Sequence, residues 1–200
     1  MADYMDAKLG IMIDIETLDT GPNSLMTQVA MQPFRLDDEE PIEQPMWLNL
    51  PMQPQLDLVR PRTISAKTLN WWMQQPDEKA RANFELVTID DMHSLKTAGQ
   101  HIVNEFGRMT KGFDKQEVEV WARGPQFDVV NVETLLTQLG FEVPWDYNMV
   151  RDLRTLMAQA HIHKAEVEKP ARFVEHDARW DCSFQIMCYF AAQRKLTRAE

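Results

Sequence analysis

Two hundred residues are enough for one α/β domain with a sizeable core and too few for two comfortable ones. An apolar share of 44% beside 26% charged residues is ordinary globular usage and excludes a disordered or fibrous chain. The net charge of −10 argues against a broad nucleic-acid-binding face, while leaving room for a narrow site at which bound cations supply positive charge. Cys182 and Cys188 are six apart in one expected helix, on different faces and too far apart for a bridge, which fits a reducing compartment. Met1 to Lys8 carries acids and no long apolar run, so the expectation is a cytoplasmic protein without signal peptide or membrane span.

Leu9 to Thr17 is apolar, glycine or β-branched at most positions, the pattern of a strand buried on both faces. Asp14 and Glu16 interrupt it near its end, on one face and about 6.5 Å apart along the chain. Two unpaired anions against a core face would each cost several kcal/mol, so a cation is expected there, and a metal ion fits. A turn follows at Asp19 to Asn23, then a strand within Ser24 to Leu36, an acidic turn at Asp37 to Glu40 and a short strand at Met46 to Leu50. These three strands read as an antiparallel meander, and Pro51 to Pro61 as a loop.

Helices are expected next. Ser65 can cap a helix from Ala66 to Gln75, with Leu69, Trp72 and Met73 on one face. A short helix is expected at Asp77 to Leu86, and a longer one from Asp90 or Asp91 to about Thr110. Glu117 to Arg123 alternates as a fourth strand, Gly124-Pro125 breaks it, and Asp128 opens a helix that Gly140 closes. Trp145 to Ala160 reads as helical, Pro170 to Glu175 as a fifth strand, and Asp177 to Lys195 as a last helix striped by Trp180, Phe184, Met187 and Ala191. The sum is α/β: a mixed sheet of about five strands flanked by helices.

Acid-x-acid spacing alone carries little, because Asp37/Glu39, Asp38/Glu40, Glu117/Glu119 and Glu166/Glu168 share it and suit solvated faces. Asp14/Glu16 stands apart through its flanks, Ile11, Met12, Ile13 and Ile15. His176 and Asp181 are five apart and cannot line one helical face, so they converge only if His176 lies in the loop or first turn. Taken alone, His176 suits a surface or capping role, and Asp128 suits a first-turn acid on the helix dipole.

Asp14-Ile-Glu16 on the first strand, Asp128 after a later strand, and His176 five before Asp181 together resemble the DnaQ-like 3′-to-5′ exonucleases of the DEDDh type. A tyrosine four before the final Asp would mark the sister class; that position is Asp177. Residues 14–23, Thr68 to Gln75, Trp121 to Asp128 and Arg151 to Leu156 look most like the ribonuclease T-like phage and bacterial subgroup. Asp19 and Arg123 depart from the smaller residues expected of that pattern.

The resemblance implies a ribonuclease H-like fold and hydrolysis at the 3′ end of single-stranded DNA or RNA, with DNA favoured on the phage-like likeness. It implies two divalent cations, Mg²⁺ or Mn²⁺, which prefer carboxylate oxygens. Asp14, Glu16, Asp128 and Asp181 would hold them, and His176 would deprotonate the attacking water. Thr17 and Leu18 would meet the terminal nucleotide, Leu18 as a wedge against its base. Trp71 and Phe127 are further candidates for the substrate, with Trp72 expected in the core. A homodimer is implied by the ribonuclease T type. The rival reading of another class is a non-catalytic acidic interaction module on the same fold.

Overall fold

The computed structural model describes residues 7–39, 42–75 and 92–198. Five strands, β1 (Leu9–Thr17), β2 (Met26–Arg35), β3 (Met46–Asn49), β4 (Val118–Ala122) and β5 (Val150–Asp152), form one sheet in the order β3-β2-β1-β4-β5. The first three pair antiparallel as the expected meander, whereas β1, β4 and β5 run parallel. The helices are α1 (Gln53–Leu56), α2 (Ala66–Met73), α3 (Met92–Met109), α4 (Asp128–Gln138), α5 (Leu153–Gln159) and α6 (Ala178–Thr197). None among the described residues is long and apolar enough to cross a membrane.

β1 is the axis of the core. Leu9, Ile11, Ile13 and Ile15 face a layer containing Leu95 and Ile102 of α3 and Val129, Val132 and Leu136 of α4. Met12 faces the opposite layer, with Leu153 and Met157 of α5 and Cys182, Phe184 and Cys188 of α6. Phe34 lies over Gly10, where an added Cβ would come within 2.4 Å of its ring. Burial on both sides explains the near-continuous apolar run.

The elements differ from expectation in five places. The fifth strand is Val150–Asp152, inside the stretch expected to be helical; three residues are too short to show a period, and Asp152 then caps α5 by accepting from the Arg154 N–H. Pro170 to Glu175 forms no strand. Residues 53–56 of the expected loop make one helical turn. On α2, Trp72 is 1% exposed but Met73 is 69% exposed, about 100° further round the helix, and Ser65 makes no side-chain capping bond. The last helix is phased differently too: of the expected stripe Phe184 is buried, but Met187 is exposed, and the buried face also holds Ala178, Asp181, Cys182, Gln185, Cys188, Tyr189, Phe190 and Ala192. The helix expected at Asp77 to Leu86, and the first residues of the one after it, lie outside the described residues.

The turn after β1 is fixed from beneath. Arg62, 2% exposed, donates from Nε to the Ser24 carbonyl (2.6 Å) and from its second terminal nitrogen to Asn131 Oδ1 (2.9 Å). Asn131 in turn donates to the Gly21 carbonyl at 3.0 Å. The loop that follows the two carboxylates is thereby tied to α4.

Candidate active site

Asp14 and Glu16 continue the row begun by Gly10 and Met12, and so point under α6. Cys182 makes that approach possible, its Sγ lying 3.6 Å from the carbonyl oxygens of Met12 and Ala30. One turn further along α6, Gln185 Nε2 donates to Asp14 Oδ1 at 2.6 Å. A register shift in the β1–β2 ladder falls at Glu16/Thr17. Such bulges locally re-aim side chains, and here one marks the end of the carboxylate row.

His176 reaches the same place by leaving the helix. Its backbone is left-handed (φ 62°), and its N–H donates to Asp181 Oδ2 at 2.9 Å. That turn folds the imidazole back over a carboxylate which helical spacing alone would place on another face. One ligand atom each from Glu16, His176 and Asp181 lie within 4.8 Å of one another. The edge-on rings of Trp71 and Trp72 confine the imidazole, with centroids 4.7 and 6.0 Å away.

Asp128 arrives from the other side. The β1–β4 ladder ends at Met12 and Trp121, so β1 projects beyond its parallel neighbour. In the opening, Asp128 sits at the start of α4, 7% exposed, where the nearby Ile15 backbone N–H favours its anion. The C-terminal ends of three parallel strands meet at this mouth, where α/β sheets commonly place ligands.

The four carboxyls are mutually strained. Burial raises Asp14 and Glu16 well above the usual carboxylate range, and repulsion from Asp181 and Asp128 adds to it. Burial lifts Asp128 to about 7 against the pull of Arg154 and Arg123. Asp181 is lifted to about 6, again by burial, against Lys164, whose Nζ lies 3.9 Å from Asp181 Oδ1. His176 is lowered by burial, with Lys164 and Lys169 assisting and Glu175 opposing. An all-oxygen set that is charged only at a cost suits a hard divalent cation, which would stabilise all four anions together.

A groove beside the cluster is lined by Glu16, Thr17, Asp19, Lys67, Trp71 and Phe127 among others. Trp71 is 41% exposed there, while Trp72 donates from Nε1 to the Thr17 carbonyl at 2.8 Å. Leu18 is elsewhere: it is 2% exposed and packs with Leu25 and Trp72 in a small cluster of its own. Sequence reasoning missed Gln185 and Lys164. Gln185 had a signal, being four residues after Asp181 and thus on its helical face. Lys164, in a one-turn 3₁₀ segment, had none.

A mixed five-stranded sheet flanked by helices, with carboxylates gathered at its mouth, defines the class of fold: the α/β, ribonuclease H-like fold that exonuclease I structures share. The family model described as "3′-5′ exoribonuclease Rv2179c-like domain" matches residues 10–192, and the chain belongs to that family. That family's description is of the 3′-to-5′ exonuclease kind that the sequence motifs implied. No curated protein matches the sequence.

Among solved structures, Escherichia coli exonuclease I in complex with a dA16 oligonucleotide aligns with a TM-score of 0.61 at 16% identity, over 96% of this chain and 41% of that one. Exonuclease I from Methylocaldum szegediense gives 0.59 at 17% identity, over 97% and 41%. A zinc-bound complex of the E. coli enzyme with single-stranded DNA gives 0.60 at 11%, over 97% and 41%. The chain thus spans less than half the length of these enzymes, and the likeness is one of fold.

Proposed function

We propose that this chain is one exonuclease domain that removes nucleoside 5′-monophosphates from single-stranded 3′ ends. Asp14, Glu16, Asp128 and Asp181 would hold two divalent cations, Mg²⁺ or Mn²⁺. The observation that carries the reading is the convergence of Glu16, His176 and Asp181 within 4.8 Å, beside Asp14 and Asp128. The four carboxyls fit hard cations: apart from the His176 imidazole the donors are oxygen, and burial with mutual repulsion leaves them short of positive charge. When bound, such cations activate the attacking water, stabilise the leaving oxygen and offset charge on the phosphate.

The chain's own groups do the rest. His176, whose neutral form burial favours, takes a proton from the water as its oxygen attacks phosphorus. The 3′ oxygen of the preceding nucleotide leaves, so the products are a nucleoside 5′-monophosphate and a chain one unit shorter with a new 3′-hydroxyl. Asp181 fixes the His176 backbone, and Trp71 and Trp72 fix its ring. Gln185 holds Asp14 in place. The groove of Thr17, Trp71 and Phe127 would receive the terminal nucleoside, with Trp71 as a stacking face.

RNA is the first reading of the polymer, supported by the exoribonuclease description of the family. DNA is the second, supported by the oligonucleotides held in exonuclease I structures. The two buried, free cysteines support a reducing, cytoplasmic setting. The homodimer implied by the ribonuclease T resemblance is checked by light scattering. The function is tested with 3′- and 5′-labelled RNA and DNA oligomers in Mg²⁺ or Mn²⁺. Stepwise, metal-dependent loss from the 3′ end is expected, and absence of cleavage in both polymers would refute the proposal.

A further inference from the structure

Two arginines stand at the mouth of the sheet beside Asp128. Arg154, in the first turn of α5, is exposed, and Arg123 directly follows β4. Among the described residues, neither guanidinium forms a hydrogen bond or an ion pair within 4.0 Å, and Arg123 Nε is buried without an acceptor. Both nonetheless act on Asp128, Arg154 the more strongly, so they face the carboxylate cluster from the β4/β5 side. Unpaired cations beside a cluster of acids are unexpected in a chain of net charge −10, where an acidic partner is easily found.

The backbone makes room for this arrangement. Gly124 has φ +118°, a conformation open mainly to glycine, and an added Cβ would lie 2.9, 3.1 and 3.2 Å from NH1, Cζ and NH2 of Arg154. The guanidinium therefore rests on the bare Gly124 backbone, held near Asp128 yet short of pairing with it. Its planar fork is left open to a two-oxygen acceptor, and phosphate matches that geometry.

We propose that Arg154, seated on Gly124 and assisted by Arg123, grips a backbone phosphate of the nucleic acid on the 5′ side of the linkage being cut. This assignment rests on the exonuclease reading above. It also explains how an acidic protein retains a polyanion: positive charge is concentrated at one contact beside the site instead of spread over a face. Arg154 is a substrate-binding residue in this account and takes no part in bond cleavage.

The test compares wild type, Arg154→Gln and Arg154→Lys on single-stranded oligomers with a 3′-hydroxyl, at several salt concentrations. A second set of oligomers carries one neutral methylphosphonate at the second, third or fourth linkage from the 3′ end. Arg154→Gln is expected to raise KM roughly tenfold with kcat within about twofold, as for loss of one charge-assisted contact. The slope of log(kcat/KM) against log[salt] should fall by about 0.7, the value for one phosphate of a single strand. At one linkage the methylphosphonate should weaken wild type and add nothing to Arg154→Gln. Arg154→Lys, keeping charge without the fork, should recover KM in part. Unchanged KM and salt slope in an active Arg154→Gln, with equal methylphosphonate penalties in both proteins, would overturn the assignment. A wild type that shortens no 3′ end would instead refute the exonuclease reading, and this assignment with it.

Discussion

The two flanks of the projecting end of β1 are built on opposite principles. Under α6, Asp14, Glu16 and Asp181 are packed together with His176 and Gln185, and Lys164 at 3.9 Å is the nearest cation to Asp181 recorded among the described residues. On the β4/α5 flank, one acid, Asp128, sits opposite two arginines that pair with nothing described. Buried like charges store a demand for divalent cations; cations left unpaired among the described residues store a demand for an anionic ligand. On the proposed reading, the contrast separates holding the catalyst from holding the substrate.

Substitutions on the first flank should break catalysis outright. Asp14→Asn and Asp181→Asn are each expected to lower kcat by roughly 10³-fold, the scale of losing a group that stabilises transition-state charge. His176→Ala should cost about 10²-fold in kcat while leaving divalent-cation affinity unchanged, because a general base and not a ligand is removed. Normal turnover in that variant would remove His176 from the mechanism. Gln185→Ala is expected to weaken Mn²⁺ binding by about tenfold or more, as loss of a partner that orients a metal-holding carboxylate does. Trp71→Ala, on the groove, should raise KM several-fold, about 1–3 kcal/mol being typical of one base stacked on an aromatic face.

A pH profile sharpens the same contrast without mutation. Carboxyls whose folded pKa is raised contribute stability that is complete below the unfolded value near 4 and is lost as pH rises through the folded value. With Asp181 at about 6 and Asp128 at about 7, the chelated protein should lose thermal stability as pH rises through that window. Divalent cation should restore it, and by more on the alkaline side than on the acid side. A flat melting profile in chelator would contradict the picture of a strained acidic cluster.

Much of this arrangement was legible in the sequence because strand physics is local. The apolar flanks of Asp14 and Glu16 place both carboxylates on one face of a core strand, and the structure keeps them there. The His176–Asp181 convergence was legible only as a condition, since it depends on one left-handed residue that spacing cannot reveal. The phase of α6 was misread because Trp180 and Met187 are apolar yet lie off the buried face, while Asp181 and Gln185 are polar yet buried. On the proposed reading, function inverts the usual pattern on that helix. Leu18, which the family resemblance sets against the terminal base, is instead core, closed over by Leu25 and Trp72. Arg154 and Gly124 are thirty residues apart, and only the folded sheet brings them together.

The central claim is that the four carboxylates exist to hold two cations. Calorimetric titration of Mn²⁺ into the protein, with a nucleoside 5′-monophosphate present, tests it directly. Two ions should bind wild type, while Asp14→Asn should lose at least one of them and Asp181→Asn should bind more weakly. Unchanged stoichiometry and affinity in both variants would contradict the account.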